Sequence, residues 1–85
     1  MSKNILLTGG FGFIGRHTTI ELLKKGYNVI VIDSNKIEIL EDINNKIYQL
    51  TGKKASLNSF RINSEEDLRV IFKKNKIDAV IHFAG

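Results

Sequence analysis

The sequence of 85 residues contains no cysteine and only two histidines, His17 and His82, which lie far apart along the chain. The absence of cysteine excludes a disulfide framework and any thiolate metal site, so we predict no metal and expect a reducing, cytoplasmic compartment. No apolar run approaches the roughly 18 residues that a membrane span requires, and the chain does not begin like a signal peptide. We therefore expect neither a membrane span nor a membrane partner.

Positive charge exceeds negative charge, with 13 lysines and arginines against 9 acids and a formal net charge of +4. The lysines occur mainly as isolated pairs, scattered through segments that favour helices. Nucleic-acid binding typically requires a basic stripe with interleaved aromatic residues. We interpret the charge as a solvated surface and predict no nucleic-acid partner. The length fits one small domain or a piece of a larger one.

Apolar runs alternate with amphipathic segments along the whole chain. Short apolar runs predict strands at 5–7, 29–32 and 77–83,. A loose alternation, with Leu57, Phe60 and Ile62 as its apolar members, predicts another strand at 55–62,. Apolar residues at three- and four-residue steps predict helices at 13–25 and 37–51, and a capping box at Ser64 predicts a third helix to about Lys74,. This alternation predicts an α/β fold: a Rossmann-like parallel sheet of order 3-2-1-4 with helices on both faces, truncated after strand 4.

The first predicted helix has one broad apolar side and a histidine. Four residues form this side, and they are expected to face the sheet: Ile14, Ile20, Leu22 and Leu23,. His17 occupies a helix position that we also expect to pack toward the sheet. His82, in the last strand, is more typical of a structural histidine than of a catalytic base.

A glycine-rich segment, TGGFGFIG, stands between the first strand and the first helix. This context predicts a dinucleotide site: Gly9 makes the tight turn, Gly12 lets the backbone approach a pyrophosphate, and Gly15 lets the helix pack on the strand. Amide donors at the helix start would face the anion. The spacing can also be read from Gly10, and a purely structural glycine turn is the alternative.

An acid closes the second strand, as such a site requires. Asp33 lies 18 positions beyond Gly15, where its carboxylate can accept both adenosine-ribose hydroxyls and repel a 2′-phosphate,. NAD is therefore favoured over NADP. A strand-end turn or helix cap is the alternative role for Asp33, and Lys36 could instead pair with a 2′-phosphate.

Three segments together resemble the extended short-chain dehydrogenase/reductase family, and its sugar-nucleotide epimerases in particular. They are the segment from Thr8 to Gly15, the VIVID run ending at Asp33, and the closing IDAVIHFAG. The resemblance covers all 85 residues as the N-terminal part of an NAD-binding Rossmann domain. It implies an enzyme that holds NAD tightly, oxidises the C4 hydroxyl of UDP-glucose or UDP-galactose and returns the hydride to the other face. It also implies a homodimer.

The resemblance assigns cofactor contacts to particular positions. Phe13 and Ile14 match residues against the pyrophosphate, Asp33, Ser34 and Asn35 match the adenosine-ribose loop, and Phe83, Ala84 and Gly85 match the wall under the cofactor. Two segments depart from the family pattern. Arg61, before Ile62, replaces an aspartate that accepts from the adenine amino group; arginine cannot accept, although it could stack on the ring. Ser34 and Asn35 replace the usual Asn-Leu.

The family's catalytic tyrosine, with a lysine four residues later, has no match in these residues. Val31 follows Tyr27 at that distance, and Gly52 follows Tyr48. We therefore expect no catalytic residue here, and we expect the UDP-sugar site and the dimerising helices only in a longer form. We also expect strand 4 to form an exposed apolar edge, which would make the isolated chain poorly soluble. The alternatives are an inactive remnant, an interaction module that pairs with a complementary fragment, and a segment of another sugar-nucleotide epimerase or dehydratase.

Overall fold

The computed structural model describes residues 2–9, 11–60 and 65–83. Strands and helices alternate through this part of the chain. The strands are β1 (Asn4–Thr8), β2 (Asn28–Asp33), β3 (Ser56–Ser59) and β4 (Ala79–His82), and the helices are α1 (Phe13–Lys24), α2 (Ile37–Thr51) and α3 (Glu65–Lys74). Every predicted element is present, but β3 and β4 are shorter than the predicted 55–62 and 77–83. The predicted cap at Ser64 lies outside the described residues.

The four strands form a parallel sheet of order β3-β2-β1-β4, which confirms the predicted Rossmann-like topology. Leu6 of β1 is paired with Ile30 of β2 on one side and Val80 of β4 on the other. The two central strands are buried on both faces, which explains why their runs are continuously apolar. Val80 is 52% exposed, so β4 forms the exposed apolar edge that the sequence predicted,.

Apolar side chains pack on both faces of the sheet. One cluster is covered by α1 and α2 and comprises Leu7, Phe11, Leu23, Val29, Val31, Leu40, Ile47 and Ala55. The other lies under α3 and comprises Leu6, Ile30, Ile32 and Ile71. Alternate residues of β1 and β2 therefore point to opposite helical layers, as the predicted two-sided sheet requires. Within the described ranges, no helix is long and apolar enough to cross a bilayer.

Two expectations about α1 were wrong. Ile14 is 66% exposed, and the residues of α1 that are buried are Gly15, Thr19 and Leu23. His17 is exposed and contacts the ring of Phe13 edge to face, with the ring centroids 4.8 Å apart, so it does not pack toward the sheet. The reason is steric: small residues let the helix approach the strands closely, and the Thr19 hydroxyl is satisfied by the carbonyl of Gly15 at 2.9 Å,.

A buried asparagine on α2 holds the chain where it enters β3. The Asn44 amide group donates to the carbonyl of Ala55 at 2.9 Å, and its oxygen accepts from the Ala55 N–H at 3.0 Å. The side chain thus replaces both partners that a neighbouring strand would supply to this backbone. α2 itself ends at Gly52, whose φ of 75° closes the helix in the left-handed region,.

We expect Asn44→Leu to lower the unfolding free energy by about 2 to 3 kcal/mol, because two backbone groups of Ala55 lose their partners in a buried place. Urea unfolding followed by circular dichroism measures this change. Asn45→Leu is the matched control, since the neighbouring Asn45 is exposed and the same substitution there removes no buried contact. Equal effects at the two positions would contradict the role of Asn44.

The lysine pairs that are scattered in sequence gather at one end of the molecule. Helices and strands alternate in direction, so the C-terminal ends of all three helices lie where the strands begin. Eight exposed lysines lie at this end: Lys3, Lys24, Lys25, Lys53, Lys54, Lys73, Lys74 and Lys76. Lys24, Lys73 and Lys74 lie in the last turns of α1 and α3, where cations are favourable beside the helix dipole,. Arg16, near the start of α1, and Lys36, just before α2, are exposed cations at the opposite edge, where the strands end.

Candidate functional site

The glycine turn leaves β1 at the edge where the parallel strands end. Gly9 adopts a φ of +66°, and its N–H donates to the carbonyl of Ile32 at 2.8 Å. On the other side of β1, the Phe83 N–H donates to the Thr8 carbonyl at 2.9 Å. A Cβ at Gly9 would lie 2.1 Å from the carbonyl oxygen of Phe83. Both the left-handed backbone and this close approach therefore require glycine.

Phe11, inside the glycine turn, is fixed by three contacts. Its side chain is 2% exposed and belongs to the cluster between the sheet and α1 and α2. Its N–H donates to Oδ2 of Asp33 at 3.1 Å, and its carbonyl accepts from the Arg16 guanidinium at 3.2 Å. The turn is thus held in place by the fold itself. The motifs in the sequence did not mark Phe11 or Arg16 as site residues; a large apolar residue inside a glycine turn was the available signal for Phe11.

The N-terminal end of α1 faces this edge of the sheet and has no side-chain cap. Gly12 precedes the helix with a φ of −69° and a ψ of −179°, no side chain caps the helix, and the first turn carries no acid. A Cβ built at Gly12 would meet nothing within 4 Å. First-turn N–H groups lack partners inside their own helix, and the positive end of the helix dipole lies there. These features suit an anion that approaches the backbone.

The side chains of this helix start are divided between solvent and core. Phe13 is 76% exposed and Ile14 is 66% exposed, while Gly15 is buried. Gly15 therefore lies where the sequence predicted close helix packing. The ring of Phe13 contacts His17, one turn further along α1.

The acid at the end of β2 lies beside the glycine turn, as the sequence predicted. Asp33 is buried, at 7% exposure, and accepts three hydrogen bonds: one from the Phe11 N–H, and two at 2.9 Å from the N–H and the side-chain amide of Asn35. These donors compensate the burial of a carboxylate. The turn-forming role that the sequence left as an alternative is therefore present. Three of the roughly four acceptor sites of the carboxylate are occupied, which leaves one, on Oδ2, for a further donor,.

The loop after Asp33 is fastened to the end of β3. The Ser59 hydroxyl donates to the Asn35 carbonyl at 2.6 Å, and the Phe60 N–H donates to the Asp33 carbonyl at 3.0 Å. Ser34, between Asp33 and Asn35, is exposed. No local sequence pattern marks Ser59, because its partner is 24 residues away.

The remaining predicted contacts lie on β4 and beyond it. Phe83 is partly buried against the cluster under α1 and α2, and its carbonyl faces Gly9. His82 is hydrogen-bonded through Nδ1 to the hydroxyl of buried Thr8, which fits the structural role expected of it. Four of the predicted contacts, and the alternative turn glycine, lie outside the described residues: Arg61, Ile62, Ala84, Gly85 and Gly10.

The chain is similar to UDP-glucose 4-epimerases over nearly its whole length. The enzyme of Neisseria meningitidis serogroup A is 45% identical over 86 residues, covering 98% of this chain and 24% of that protein. A bifunctional UDP-glucose and UDP-xylose 4-epimerase of Pisum sativum is 42% identical, covering 99% of this chain and 25% of that protein. The chain thus spans about a quarter of the length of these relatives.

Solved structures of UDP-glucose 4-epimerases are also similar to this chain. UDP-glucose 4-epimerase of Bifidobacterium longum, in complex with NAD⁺ and UDP, superposes with a TM-score of 0.84 at 39% identity, covering 98% of this chain and 24% of that one. The Thermotoga maritima enzyme, with UDP-glucose, gives a TM-score of 0.74 at 36% identity, covering 96% of this chain and 24% of that one. The model of the NAD dependent epimerase/dehydratase family matches residues 5–85, and the chain belongs to this family.

Proposed function

We propose that this chain is the N-terminal, NAD-binding segment of a UDP-glucose 4-epimerase and that it carries the site for the ADP half of the cofactor. The observation that carries the proposal is the hydrogen bond between Asp33 and the Phe11 N–H. It brings the acid that would accept ribose hydroxyls next to the turn that would receive the pyrophosphate. The similarity of the whole chain to UDP-glucose 4-epimerases supports the same reading.

The residues present fit NAD. The open space at Gly12 admits a phosphate to the backbone, and the N–H groups of Phe13 and Ile14 at the uncapped helix start would donate to it,. Asp33 and the Ser34–Asn35 loop would hold the adenosine ribose, with Phe83 and the two residues after it as the wall under the cofactor. NAD supplies a reversible hydride acceptor at its nicotinamide ring.

Neither tyrosine of the chain lies at this edge. Tyr27 stands between α1 and β2, at the end where the strands begin, and its N–H donates to the Leu22 carbonyl at 3.1 Å. Tyr48 is half exposed on α2, with the Lys54 ammonium 5.4 Å from its ring centroid. We infer that these 85 residues bind cofactor without turning over UDP-sugar, and that substrate and a partner subunit belong to a longer form.

Isothermal titration of the folded chain with ADP-ribose tests the proposal. We expect saturable binding of one ligand per chain and at least about tenfold weaker binding of 2′-phospho-ADP-ribose, because the buried carboxylate of Asp33 opposes the added phosphate. No conversion of UDP-glucose to UDP-galactose is expected when NAD is supplied. Absence of heat with ADP-ribose at millimolar concentration, for chain shown to be folded by circular dichroism, would reject the proposal.

A further inference from the structure

We propose that Arg16 is a positioning residue of the cofactor site, which holds the glycine turn and places positive charge beside the pyrophosphate. The inference rests on the proposed function, and it adds a residue that the sequence did not identify. Its starting point is the hydrogen bond at 3.2 Å from the Arg16 guanidinium to the Phe11 carbonyl.

The position of Arg16 on α1 directs its side chain back to the helix start. The Arg16 N–H makes a helical hydrogen bond to the carbonyl of Gly12 at 2.9 Å, so its Cα lies one turn inside the helix. Side chains of a helix lean toward its N-terminus. The guanidinium therefore reaches back past Gly12 to Phe11, over the end of the helix where the backbone is open.

Phe11 is held from both sides by opposite charges. Asp33 accepts from its N–H, and Arg16 donates to its carbonyl. The peptide groups on each side of Phe11 are thus fixed in orientation before any ligand arrives, which lowers the ordering cost of binding. Hydrogen bonds that involve an ionised group are stronger than neutral ones, so this arrangement holds the turn more firmly than neutral partners would.

The guanidinium retains capacity for an anion. Its five N–H donors exceed the one carbonyl that it contacts, and Arg16 is exposed,. The ion pairs formed among the described residues join Lys46 to Asp42 and Arg69 to Glu65, and neither involves Arg16. A phosphate at the start of α1 would thus meet a nearby positive charge that the fold does not neutralise.

Three substitutions separate the two roles of Arg16. Glutamine keeps an N–H donor, on a side chain two bonds shorter, but lacks charge, lysine keeps the charge, and methionine keeps neither function. Arg69→Gln is the matched control, because Arg69 is also exposed but lies on α3 and pairs with Glu65 at 3.2 Å. Each variant is titrated with ADP-ribose and with adenosine, which lacks the pyrophosphate, at low and at moderate salt.

We expect Arg16→Gln to weaken ADP-ribose binding roughly five- to tenfold at low salt and to leave adenosine binding unchanged. Its affinity for ADP-ribose should also depend less on salt than that of the parent chain, and Arg16→Lys should restore much of the loss. Arg16→Met should additionally lower the melting temperature. A purely structural role would change the two ligands equally and leave the salt dependence intact.

Failure of this inference is distinct from failure of the proposed function. If the parent chain binds ADP-ribose and Arg16→Gln binds it with equal affinity and equal salt dependence, Arg16 does not position the pyrophosphate, while the cofactor site stands. If the folded parent chain binds no ADP-ribose, the proposed function itself fails and takes this inference with it. A loss of affinity in Arg69→Gln as large as that in Arg16→Gln would also overturn the inference.

Discussion

Replacement of Gly9 by alanine is expected to lower the unfolding free energy by more than about 3 kcal/mol, the largest effect of any single substitution considered for this chain. A left-handed backbone costs an alanine about 1 to 2 kcal/mol. The new Cβ would in addition lie 2.1 Å from the carbonyl oxygen and 3.2 Å from the carbonyl carbon of Phe83. Backbone cannot rotate away as a side chain can, so the turn at Gly9 or the chain at Phe83 must shift.

Two other glycines provide matched controls for Gly9→Ala. Gly26 has a φ of +92°, and a Cβ built there would meet nothing within 4 Å. Alanine at this position should therefore lower the unfolding free energy only by the cost of its left-handed backbone. Gly12 has neither constraint, and alanine there should change stability by less than about 1 kcal/mol,. Urea unfolding of the three variants ranks these costs. If Gly9→Ala is no more destabilising than Gly26→Ala, the close approach to Phe83 is not present in solution.

The same Gly12→Ala variant tests the site separately from the fold. Its Cβ would occupy the open space where we propose that the pyrophosphate meets the backbone. We expect folded protein with at least about tenfold weaker ADP-ribose binding. Undiminished binding by this variant would place the pyrophosphate elsewhere.

Replacement of Asp33 by asparagine is expected to affect both stability and binding. The carboxylate accepts from the Phe11 N–H with one oxygen and from two donors of Asn35 with the other. An asparagine amide has a single oxygen, so its NH₂ group must face at least one of these N–H donors. We expect a loss of about 1 to 3 kcal/mol in unfolding free energy, because a buried donor becomes unsatisfied.

The variants Asp33→Asn and Arg16→Gln should lose affinity for different sets of ligands. The acid would accept ribose hydroxyls, so its loss should weaken ADP-ribose and adenosine alike, by at least about tenfold. The preference for ADP-ribose over 2′-phospho-ADP-ribose should also fall, since the repelling charge is gone. Asp42→Asn, on the exposed side of α2, is the control. Unchanged adenosine affinity in folded Asp33→Asn would contradict a ribose contact.

Local sequence patterns correctly predicted the elements whose conformation is set by residues close together in the sequence. The continuous branched run predicted β2, the regular apolar spacing predicted α2 at the bounds that the structure shows, and Gly9 marked the turn after β1. Local patterns failed for α1, because hydrophobicity suggested that Ile14 faces the sheet. The sheet instead receives Gly15 and Thr19, whose small size permits close packing,. β3 was predicted too long because the apolar residues of 55–62 do not reveal where pairing stops.

By itself, the sequence determined the alternation of strands and helices, the sheet order, the glycine turn and the acid at the end of β2. The alternation follows from periodicity, the turn from the backbone freedom of glycine, and the sheet order from the right-handed connections between parallel strands. The tertiary structure alone decided which groups meet: Asp33 with the Phe11 N–H, 22 residues apart, Gly9 against the Phe83 carbonyl, and the lysines at one end of the sheet. Such contacts depend on how parallel strands bring distant loops to one edge, and no local pattern encodes that distance.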